Sequence, residues 1–595
     1  MKTSSWNNIA YILRIAWNTD RAGLLWMLVH AFYSALPTAV SVLLVKSIID
    51  AVDSNASFTY IICIVLIATT IKIVEITITL SVSSLRSKKT EMLIKKKLTL
   101  TLLERIQRID AKEYDNPAFY DNLLKAADEA ESGAMEMLRT VQSILQSVIT
   151  LLVSASIIVT LKPLLVFISI LSGLLSYWLS YRYNRVAFQH NNEYIVRSKA
   201  TKYFKSLFFN RESTTEFKQY EGLGRLILRR YAESLDGQYL IEREMNKNQN
   251  KHMGRLLVIN YLTSNTAPYL YAGIEVIKKA VSISDMTMMI SAAAKISASI
   301  NSVLQQVGNL QMQCLYVDNL KAVLDYFPEI EKKSGIPLTA GMISKIEFKH
   351  VYFRYPNKKD YALKNINLSI SKGEKIAIVG LNGSGKTTLV KLLLRFYDPQ
   401  EGDIFINGVN LKAYDISAVR RVLPSVFQDF QLYSLKLAEL ISCDHCNELD
   451  TKRVFDAMAN AGLSDIVSQE KGIFSEYGRY FDPEGITLSG GEAQKLMIAR
   501  MIYNSGDVLI MDEPTASLDP KSEIEINKEI VRISDKRTLI LISHRLSSTK
   551  NMDKIIMLDR GEIVEQGSHR ELIEKMGRYA ALFSMQAAEY SDSDL

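Results

Sequence analysis

The stretch GLNGSGKTT, residues 380–388, decides the fold of the C-terminal half of the chain. It fits the pattern GxxxxGK[ST], with Gly380, Gly385, Lys386 and Thr387 at the required positions. A short apolar run, EKIAIVG, precedes it and predicts a buried strand, and TLVKLLLRFY follows with apolar residues at helical spacing. Strand, glycine-rich turn and helix in this order predict a P-loop, which binds phosphates with backbone N–H groups at a helix N-terminus.

The residues that follow the turn complete a phosphate site. In a P-loop the lysine, here Lys386, reaches the β- and γ-phosphates, and the hydroxyl of the next residue, here Thr387, binds Mg²⁺. ATP and Mg²⁺ are therefore the predicted cofactors. The other residues of the turn that we expect to contact the nucleotide are Asn382, Gly383, Ser384 and Thr388.

A second stretch, VLIMDEP at 508–514, supplies carboxylates. Four apolar residues predict a buried strand of a parallel sheet, so Asp512 emerges at its carboxyl end, where ligands of such sheets bind. We expect Asp512 to hold Mg²⁺ and the adjacent Glu513 to act as the general base or to orient water.

A third stretch, LSGGEAQK at 488–495, places a serine and two glycines at the start of another helix. Together the three motifs resemble ABC transporters of the exporter type, which join membrane and nucleotide-binding parts in one polypeptide, and the likeness spans essentially all 595 residues. In that family the signature LSGGQ, here LSGGE, closes on the γ-phosphate of the nucleotide held by the partner subunit. The resemblance therefore implies a dimer with two composite ATP sites.

The same resemblance implies roles for residues that spacing alone does not single out. These are Tyr355 in VYFRYP for stacking on adenine, Gln428 in VFQDF for sensing Mg²⁺ and signalling to the membrane part, Ser489 and Gly491 for the partner's γ-phosphate, Asp519 in ASLD for a contact across the dimer, and His544 in LISHRL for holding the γ-phosphate. Glu513, His544 and Gln428 form the implied catalytic set. The implied metal set is Thr387, Gln428 and Asp512.

The sequence departs from the family pattern at three places. Glu492 replaces the glutamine of the signature, and Lys495 stands where arginine is common. The family usually has an acidic residue five positions before the signature leucine, whereas this chain has Pro483 there, next to Glu484. The main nucleotide-site residues are all present, so a homodimer is favoured and a partner of different sequence stays open.

Composition agrees with a membrane protein that carries a soluble domain. The chain is 48% hydrophobic with a mean hydropathy of +0.03 and a net charge of +7, which we interpret as an average over two unlike halves. Apolar runs end near residue 325, and FPEIEKKSGIPLTAG at 327–341 has the composition of a linker. We predict an all-α transmembrane domain at 1–325, a linker at 326–341 and an α/β P-loop nucleotide-binding domain at 342–595.

Six membrane spans are predicted at about 20 residues each with few charges. They lie at roughly 22–45, 58–85, 140–161, 163–184, 254–278 and 286–313. The long gaps at 86–139 and 185–253 are rich in lysine and arginine, which places them in the cytoplasm together with both termini and the nucleotide-binding domain. The predicted location is the cytoplasmic membrane.

Two further interpretations concern the cytoplasmic parts of the membrane half. The resemblance implies short coupling helices near 114–127 and 210–222, although charged helical stretches of this kind are commonly just solvated. At the N-terminus, Trp6, Ile9, Leu13 and Trp17 recur at helical spacing, which suits a helix in the membrane interface rather than a cleavable signal.

The cargo is predicted from polar residues in the sixth span. Ser291, Lys295, Ser302, Gln306, Asn309 and Gln313 recur near the helical period, which indicates a water-accessible cavity, unless they are hydrogen-bonded between helices. Such a cavity favours export of a peptide or an amphipathic small molecule of multidrug type. A lipid flippase is the main alternative, and an ATP-gated channel or regulator is a less favoured one. We expect membrane lipid as a partner and no nucleic acid.

Overall fold

The computed structural model describes residues 3–591 with internal gaps. The gaps are 129, 131–132, 160–163, 263–265, 332–334, 446–448, 469–470, 515–519 and 536, and within 164–197 only residues 164, 167, 170, 171, 173–175 and 178 are described. The described residues form two compact units. The first consists of 1–106 and 121–325, and the second of 107–120 and 326–595.

The first unit is helical throughout its described parts. Its helices before residue 107 are α1 (Thr3–Thr19), α2 (Arg21–Tyr33), α3 (Leu36–Asp53), α4 (Phe58–Ile78) and α5 (Ser84–Ile106), with a π-helical turn (Thr79–Ser83) between the last two. The four-residue α6 (Ala111–Tyr114) belongs to the second unit. After it come α7 (Pro117–Asp128), α8 (Ala134–Val159), α9 (Arg211–Gln219), α10 (Glu221–Tyr261), α11 (Ala267–Ile277) and α12 (Ile283–Leu324). Residues 198–207 are helical as well.

Two described helices are long and apolar enough to cross a membrane. One is the continuous helix Phe58–Ile106, in whose most apolar stretch no residue is buried, and the other is Ala134–Ile157. The predicted first span is divided, since α2 ends at Tyr33 and α3 begins at Leu36 with Pro37 in its first turn, where proline is tolerated. The predicted fourth span lies mostly outside the described residues.

The polar stripe of the sixth predicted span divides into two groups. Ser302 hydrogen-bonds Ser147 at 2.8 Å, and the amide of Gln313 donates to Thr140 Oγ1 at 3.0 Å, so both contact α8. Lys295 and Asn309 are instead exposed. For Ser302 and for the amide N–H of Gln313 the structure therefore shows the alternative, hydrogen bonding between helices, while Gln313 Oε1 is buried without a hydrogen-bond partner among the described residues.

The N-terminal helix packs more deeply than its spacing predicts. Its buried face is Ile9, Ile12 and Ala16, and Trp6 is 64% exposed. The buried Asn8 donates from Nδ2 to the carbonyl of Cys314 at 2.9 Å and to Asp318 Oδ1 at 2.6 Å. These bonds fix α1 against the C-terminal part of α12, because a buried amide without partners destabilises a fold.

The second unit contains two sheets. The smaller has the order β2-β1-β4-β5 and is antiparallel, and the larger has the order β10-β9-β3-β8-β7-β6. The strands are β1 (Lys345–Phe353), β2 (Leu363–Ser371), β3 (Lys375–Val379), β4 (Glu401–Ile406), β5 (Val409–Asn410), β6 (Ser425–Val426), β7 (Val508–Asp512), β8 (Thr538–Ile542), β9 (Lys554–Asp559) and β10 (Glu562–Gly567).

Helices cover the larger sheet. They are α13 (Lys386–Leu393), α14 (Ile416–Val422), α15 (Leu437–Ser442), α16 (Thr451–Asn460), α17 (Ser464–Val467), α18 (Gly490–Asn504), α19 (Pro520–Ile533), α20 (His569–Glu574) and α21 (Arg578–Ser591), with short 3₁₀ turns at Leu411–Ala413, Gly472–Phe474 and Leu546–Thr549. Strands β7 and β8 are buried at every residue, as strands covered on both faces must be. Their apolar runs follow from this burial.

The core lies on both faces of the larger sheet. In β3, Ile376 and Ile378 pack into one hydrophobic cluster, and the intervening Ala377 and Val379 pack into the other. This alternation follows from the two-residue period of a strand. Since both clusters are buried, a register slip of one residue would exchange the two sets of side chains, so the strand register is strongly specified.

The segment 107–120 belongs to the second unit. The carboxylate of Asp110 is fully buried and accepts backbone N–H bonds from Glu329, Ile330 and Glu331 at 2.8, 3.1 and 2.9 Å, together with the hydroxyl of Tyr326 at 3.1 Å. Burial, and next the charge of Asp110, raise the pKa of Tyr326 well above its usual value. Asp110 thus fixes the segment to the beginning of the predicted linker.

A second contact lies five residues further along this segment, at Asp115. Tyr397 donates its hydroxyl to Asp115 at 2.9 Å, and burial raises the pKa of Tyr397. Ala111 packs against the hydrophobic cluster that includes Phe348 and Leu393. The segment is therefore held by a buried carboxylate, a phenol and an apolar contact.

We expect Asp110→Asn to lower the stability of the second unit by about 2 kcal/mol, because the amide presents an NH₂ group to peptide N–H donors that the carboxylate satisfied. Thermal unfolding and limited trypsin digestion of the full chain measure the effect. The exposed Asp360 supplies a control, Asp360→Asn, which we expect to behave as the wild type. Equal cleavage rates in the 326–341 region for both variants would contradict the anchoring role of Asp110.

Candidate nucleotide-binding site

The predicted motif residues meet at one edge of the larger sheet. Strands β3, β8, β7 and β6 are parallel neighbours in that order. Their carboxyl ends are followed by the P-loop, by His544, by Glu513 and by Gln428 respectively. Segments far apart in the sequence thus converge where ligands of open parallel sheets bind.

Glycines shape the phosphate loop because their neighbours leave no room for a side chain. A Cβ on Gly380 would lie 2.2 Å from the carbonyl oxygen of Leu558, and one on Gly385 would lie 2.8 Å from the carbonyl oxygen of Ala362. Gly385 also has φ of +107°, which favours glycine. It is the N-cap of α13, so the free N–H groups of that helix point toward the loop.

Lys386 lies inside the loop. Its side chain is buried, and Nζ donates to the carbonyl oxygens of Gly380 at 3.0 Å and Leu381 at 3.1 Å. Burial lowers the pKa of the Lys386 ammonium, while the charges of Glu513 and Asp512 raise it. An ammonium held by two carbonyl groups of a glycine-rich loop can transfer its hydrogen bonds to phosphate oxygens at the same place.

Thr387 and Asp512 form the candidate metal-binding pair. The hydroxyl of Thr387 donates to Asp512 Oδ2 at 2.8 Å, and Asp512 is 2% exposed. The other carboxylate oxygen, Oδ1, is buried and has no hydrogen-bond partner among the residues that the structure describes. Burial raises the pKa of Asp512. A hydroxyl beside a carboxylate with a buried oxygen still to be satisfied fits Mg²⁺, which prefers oxygen ligands.

Glu513 has an unusual backbone conformation. Its φ of +52° lies in the left-handed region, which is rare for residues other than glycine, asparagine and aspartate. Its N–H donates to the carbonyl oxygen of Ile542 on β8 at 3.0 Å, which fixes the turn after β7. Backbone strain of this kind concentrates at functional sites. The Glu513 side chain lines the cleft.

Glu513 and His544 contact each other directly, through Glu513 Oε1 and His544 Nε2. Burial raises the pKa of Glu513 and lowers the pKa of His544, and the nearby Lys386 charge lowers both. The neutral imidazole is therefore the favoured form of His544. The contact is a hydrogen bond from a neutral N–H to the carboxyl group, rather than an ion pair, and the proton on Nε2 is inferred from this pairing.

These residues line a cleft of about 750 Å³. The lining consists of Tyr355, Ala362, Asn382, Gly383, Gly385, Lys386, Thr387, Thr388, Gln428, Glu513 and His544. Tyr355 follows β1 and hydrogen-bonds Thr388 Oγ1 at 3.1 Å, and its ring packs edge-on against Phe353 and Tyr397. An aromatic residue thus lies beside the phosphate loop. Gln428 also lines the cleft, and it follows β6, the neighbour of the strand β7 that ends at Asp512.

The signature residues do not take part in this cleft. Of the described residues that line it, none comes from 488–495. Ser489 is the N-cap of α18: its backbone N–H and hydroxyl both donate to Glu492 Oε2 at 2.8 Å, and its oxygen accepts the N–H of Glu492. Glu492, the residue that departs from the signature, therefore closes a capping box. Gly491 lies in the first turn of the same helix.

Two other sequence predictions fall near the signature. Asp519 lies outside the described residues. In the loop that contains Pro483, Lys471 Nζ pairs with Asp482 Oδ2 at 3.2 Å and Glu484 Oε2 at 2.9 Å. The acidic residues of this loop are thus paired with a lysine of their own unit.

Sequence reasoning missed two residues that anchor the segment 107–120 to the second unit, Asp110 and Tyr397, the second of which also packs against Tyr355 of the cleft. Asp110 precedes a four-residue helix and has the sequence pattern of an N-cap, yet its carboxylate makes no capping bond and instead reaches residues 326–331. Tyr397 is one aromatic among many in the sequence. Neither carries a spacing signal, because the partners of both residues are more than 200 positions away in the sequence.

Comparison with known proteins identifies the same domain. Residues 363–516 match the family described as ABC transporter. The subtilin transport ATP-binding protein SpaT of Bacillus subtilis is 27% identical over 491 residues, which are 81% of this chain and 78% of SpaT. The alpha-hemolysin translocation ATP-binding protein HlyB of Escherichia coli O157:H7 is 40% identical over 284 residues, 48% of this chain and 38% of HlyB.

A third relative and a solved structure also match. The ATP-dependent lipid A-core flippase of Haemophilus influenzae strain 86-028NP is 32% identical over 368 residues, 59% of this chain and 62% of the flippase. The chain thus spans less than two thirds of HlyB and of this flippase. Among solved structures, a bacterial Atm1-family ABC exporter with ATP bound matches with a TM-score of 0.81 and 21% identity, over 95% of this chain and 97% of the exporter. This likeness establishes the fold.

We expect Glu513→Gln to reduce steady-state ATP hydrolysis by about a hundredfold or more, because the amide is not a base while its shape and its contact with His544 are kept. Binding of ATP should persist. Phosphate release and retention of labelled ATP measure the two properties. The exposed Glu562 on β10 provides the control Glu562→Gln. Hydrolysis near the wild-type rate in Glu513→Gln would contradict the assignment of the base.

Proposed function

We propose that this chain, which belongs to the ABC transporters of the exporter type, uses ATP hydrolysis to move a peptide or an amphipathic small molecule out across the cytoplasmic membrane. The observation that carries the proposal is the convergence of Lys386, Asp512, Glu513 and His544 on adjacent strand ends, in a chain whose other unit is helical. The nucleotide-binding unit is an ABC ATPase domain. The chain is accordingly a transport ATPase located in a membrane.

The residues of the cleft divide the chemistry among them. Lys386 and the N-terminus of α13 bind the β- and γ-phosphates, and Tyr355 stacks on adenine. Glu513 accepts a proton from the attacking water, and His544, which donates from Nε2 in this structure, binds the γ-phosphate with the same N–H. Thr387, Asp512 and Gln428 would hold Mg²⁺, which supplies positive charge to the phosphates when bound.

We further propose that the active form is a dimer in which Ser489 and Gly491 complete the site of the partner chain. The hydroxyl and the backbone N–H of Ser489 donate to Glu492 in the single chain, so the α18 N-terminus already carries an anion on the donors that a phosphate would use. Asp519 would contribute across the same interface. A homodimer is favoured because each main nucleotide-site residue is present in this chain.

The peptide class of cargo is favoured by the extent of one match. The likeness to SpaT, which is named for subtilin transport, runs over 491 residues and so continues into the membrane unit. A lipid cargo is the second candidate, because several relatives are named lipid A-core flippases. An ATP-gated channel would need no intact hydrolytic set, so it is less favoured.

The route from ATP to the membrane unit is proposed to pass through the predicted coupling stretch 114–127 and through 107–120, the overlapping segment of the second unit. This segment follows α5 directly and precedes most of α7, yet it packs within the nucleotide-binding unit through Asp110 and Asp115. Tyr397, which binds Asp115, also packs its ring against Tyr355 at 5.3 Å between centroids. The stretch 210–222, which contains α9, is the second proposed coupling segment. Both termini and the second unit would lie in the cytoplasm.

We expect ATP-dependent accumulation of cargo in inside-out vesicles that carry the wild-type chain and are supplied with host-cell extract. The Glu513→Gln chain, incorporated at the same density, should accumulate none, and Glu562→Gln should match the wild type. Mass spectrometry of the vesicle contents identifies a peptide or a small molecule. Intact hydrolysis without accumulated cargo, together with lipid-stimulated turnover, would favour the flippase instead.

The composite site is tested by mixing two defective chains. Lys386→Ala removes the phosphate-binding ammonium and Ser489→Arg blocks the signature, so each variant alone should be inactive. A mixed dimer would contain one intact site, formed by Lys386 of one chain and Ser489 of the other. Random pairing should then restore about a quarter of the wild-type ATP hydrolysis. No recovery in mixtures that demonstrably contain mixed dimers would contradict shared sites.

A further inference from the structure

The loop that carries His544 is held from one side by the C-terminal helix. This loop runs from Ser543, directly after β8, through the short 3₁₀ turn Leu546–Thr549. Its internal bonds include those of Ser543, whose oxygen accepts the N–H of Arg545 at 3.0 Å and donates to the Arg545 carbonyl at 3.0 Å, and that of the Ser548 hydroxyl, which donates to the same carbonyl at 2.7 Å. These bonds bind the N–H and the carbonyl of Arg545 from within the loop, whereas the His544 carbonyl and the Leu546 N–H at the other ends of the same two peptide groups face α21.

Gln586 of α21 binds both of those peptide groups. Its Nε2 donates to the carbonyl oxygen of His544 at 2.6 Å, and its Oε1 accepts the backbone N–H of Leu546 at 2.9 Å. The side chain is half-buried. Only one orientation of the carboxamide satisfies a carbonyl and an N–H together, because the flipped amide would place like groups against each other. The two bonds therefore act as a single clamp on the loop.

The same face of α21 makes two more contacts with this loop. The fully buried Tyr579 hydrogen-bonds Thr549 Oγ1 at 3.0 Å and His569 Nδ1 at 2.8 Å. The ring of Phe583 lies 5.2 Å from the ammonium of Lys550. Positions 579, 583 and 586 follow the i, i+4, i+7 spacing of one helix face. The helix thus holds the loop at its beginning, through Gln586, and at its end, through Tyr579.

We propose that Gln586 is the positioning residue for His544, so that the C-terminal helix sets the orientation of the imidazole toward Glu513 and the γ-phosphate. The inference rests on the proposed function, since it assumes that His544 acts on ATP. The physical reason is local. The carbonyl that Gln586 binds belongs to His544 itself, so the clamp fixes the peptide plane from which the imidazole extends. The His544 Nε2 contact with Glu513 lies at the other end of that side chain.

Strand β8 by itself does not fix the position of the loop that carries His544. β8 ends at Ile542, and the last ladder bond toward β3 is the long one from the Ser543 N–H to the Ile378 carbonyl at 3.4 Å. Beyond that point the loop depends on contacts from other elements. A misplacement of about 1 Å in a catalytic group costs up to roughly a hundredfold in rate, so a clamp at this position affects turnover more than stability.

The test uses the full chain in lipid nanodiscs with Gln586→Met, which keeps the length of the side chain but removes both bonds. Met585, the preceding residue, is 67% exposed, and Met585→Ala is the matched control. We expect kcat for ATP hydrolysis to fall roughly tenfold or more in Gln586→Met with little change in KM for ATP. Hydrogen exchange at the Leu546 amide should become faster in Gln586→Met only.

A double variant separates positioning from general loss of structure. If Gln586 acts through His544, the variant His544→Ala with Gln586→Met should hydrolyse ATP no more slowly than His544→Ala alone. If Gln586→Met lowers the rate of ATP hydrolysis further in the His544→Ala background, or if Gln586→Met alone keeps the wild-type kcat, the proposal is overturned. Unchanged exchange at Leu546 would overturn the clamp itself. Wild-type turnover in His544→Ala would instead refute the role of the histidine in the proposed function, and the positioning role with it, whatever the exchange shows.

Discussion

The parallel ladder that joins β3, β8, β7 and β6 is the constraint on which the site depends. Each of these strands ends at the same edge of the sheet, and each is followed at once by a residue of the cleft. The pairings Ile378 with Ile542 and Asp512 with Ile542 set the relative height of the strand ends. A slip of one residue would turn the apolar side chains of both faces over, so the core that fixes the register also fixes the distance between Thr387 and Asp512.

Burial shifts the pKa values of the ionisable groups at this edge of the sheet, and these groups suit the binding of a polyanion together with a cation. It raises the pKa of Asp512 and of Glu513 and lowers that of Lys386 and of His544, so each group is shifted toward its neutral form. Charged groups in such a setting bind a charged ligand strongly because little water competes for them. Two places can take up such a ligand. Asp512 Oδ1 has no hydrogen-bond partner among the described residues, and the Lys386 ammonium is held by two carbonyl oxygens.

The sequence predicts those parts of the molecule whose partners lie close along the chain. The P-loop and the buried β7 run are of this kind, since a spacing pattern and an apolar run carry them. Strand order, the left-handed conformation of Glu513 and the contact between Glu513 and His544 depend on residues about 30 positions apart or more, and no local pattern contains them. In the membrane unit, polarity predicts which residues need partners, but it does not predict that Ser302 and the amide N–H of Gln313 find them on α8.

The elements that hold the site from outside the sheet come from three distant parts of the chain. Asp110 binds peptide groups at 329–331, Tyr397 binds Asp115, and Gln586 binds the peptide groups around Arg545. In each case a polar side chain makes a hydrogen bond to a peptide group or to a second polar side chain outside the sheet. Such bonds add little net stability when they are made, but leaving one partner buried and unpaired is costly. Through the packing of Tyr397 against Tyr355 and the bond of Gln586 to the His544 carbonyl, two residues of the cleft are thus connected to the segments 107–120 and 578–591.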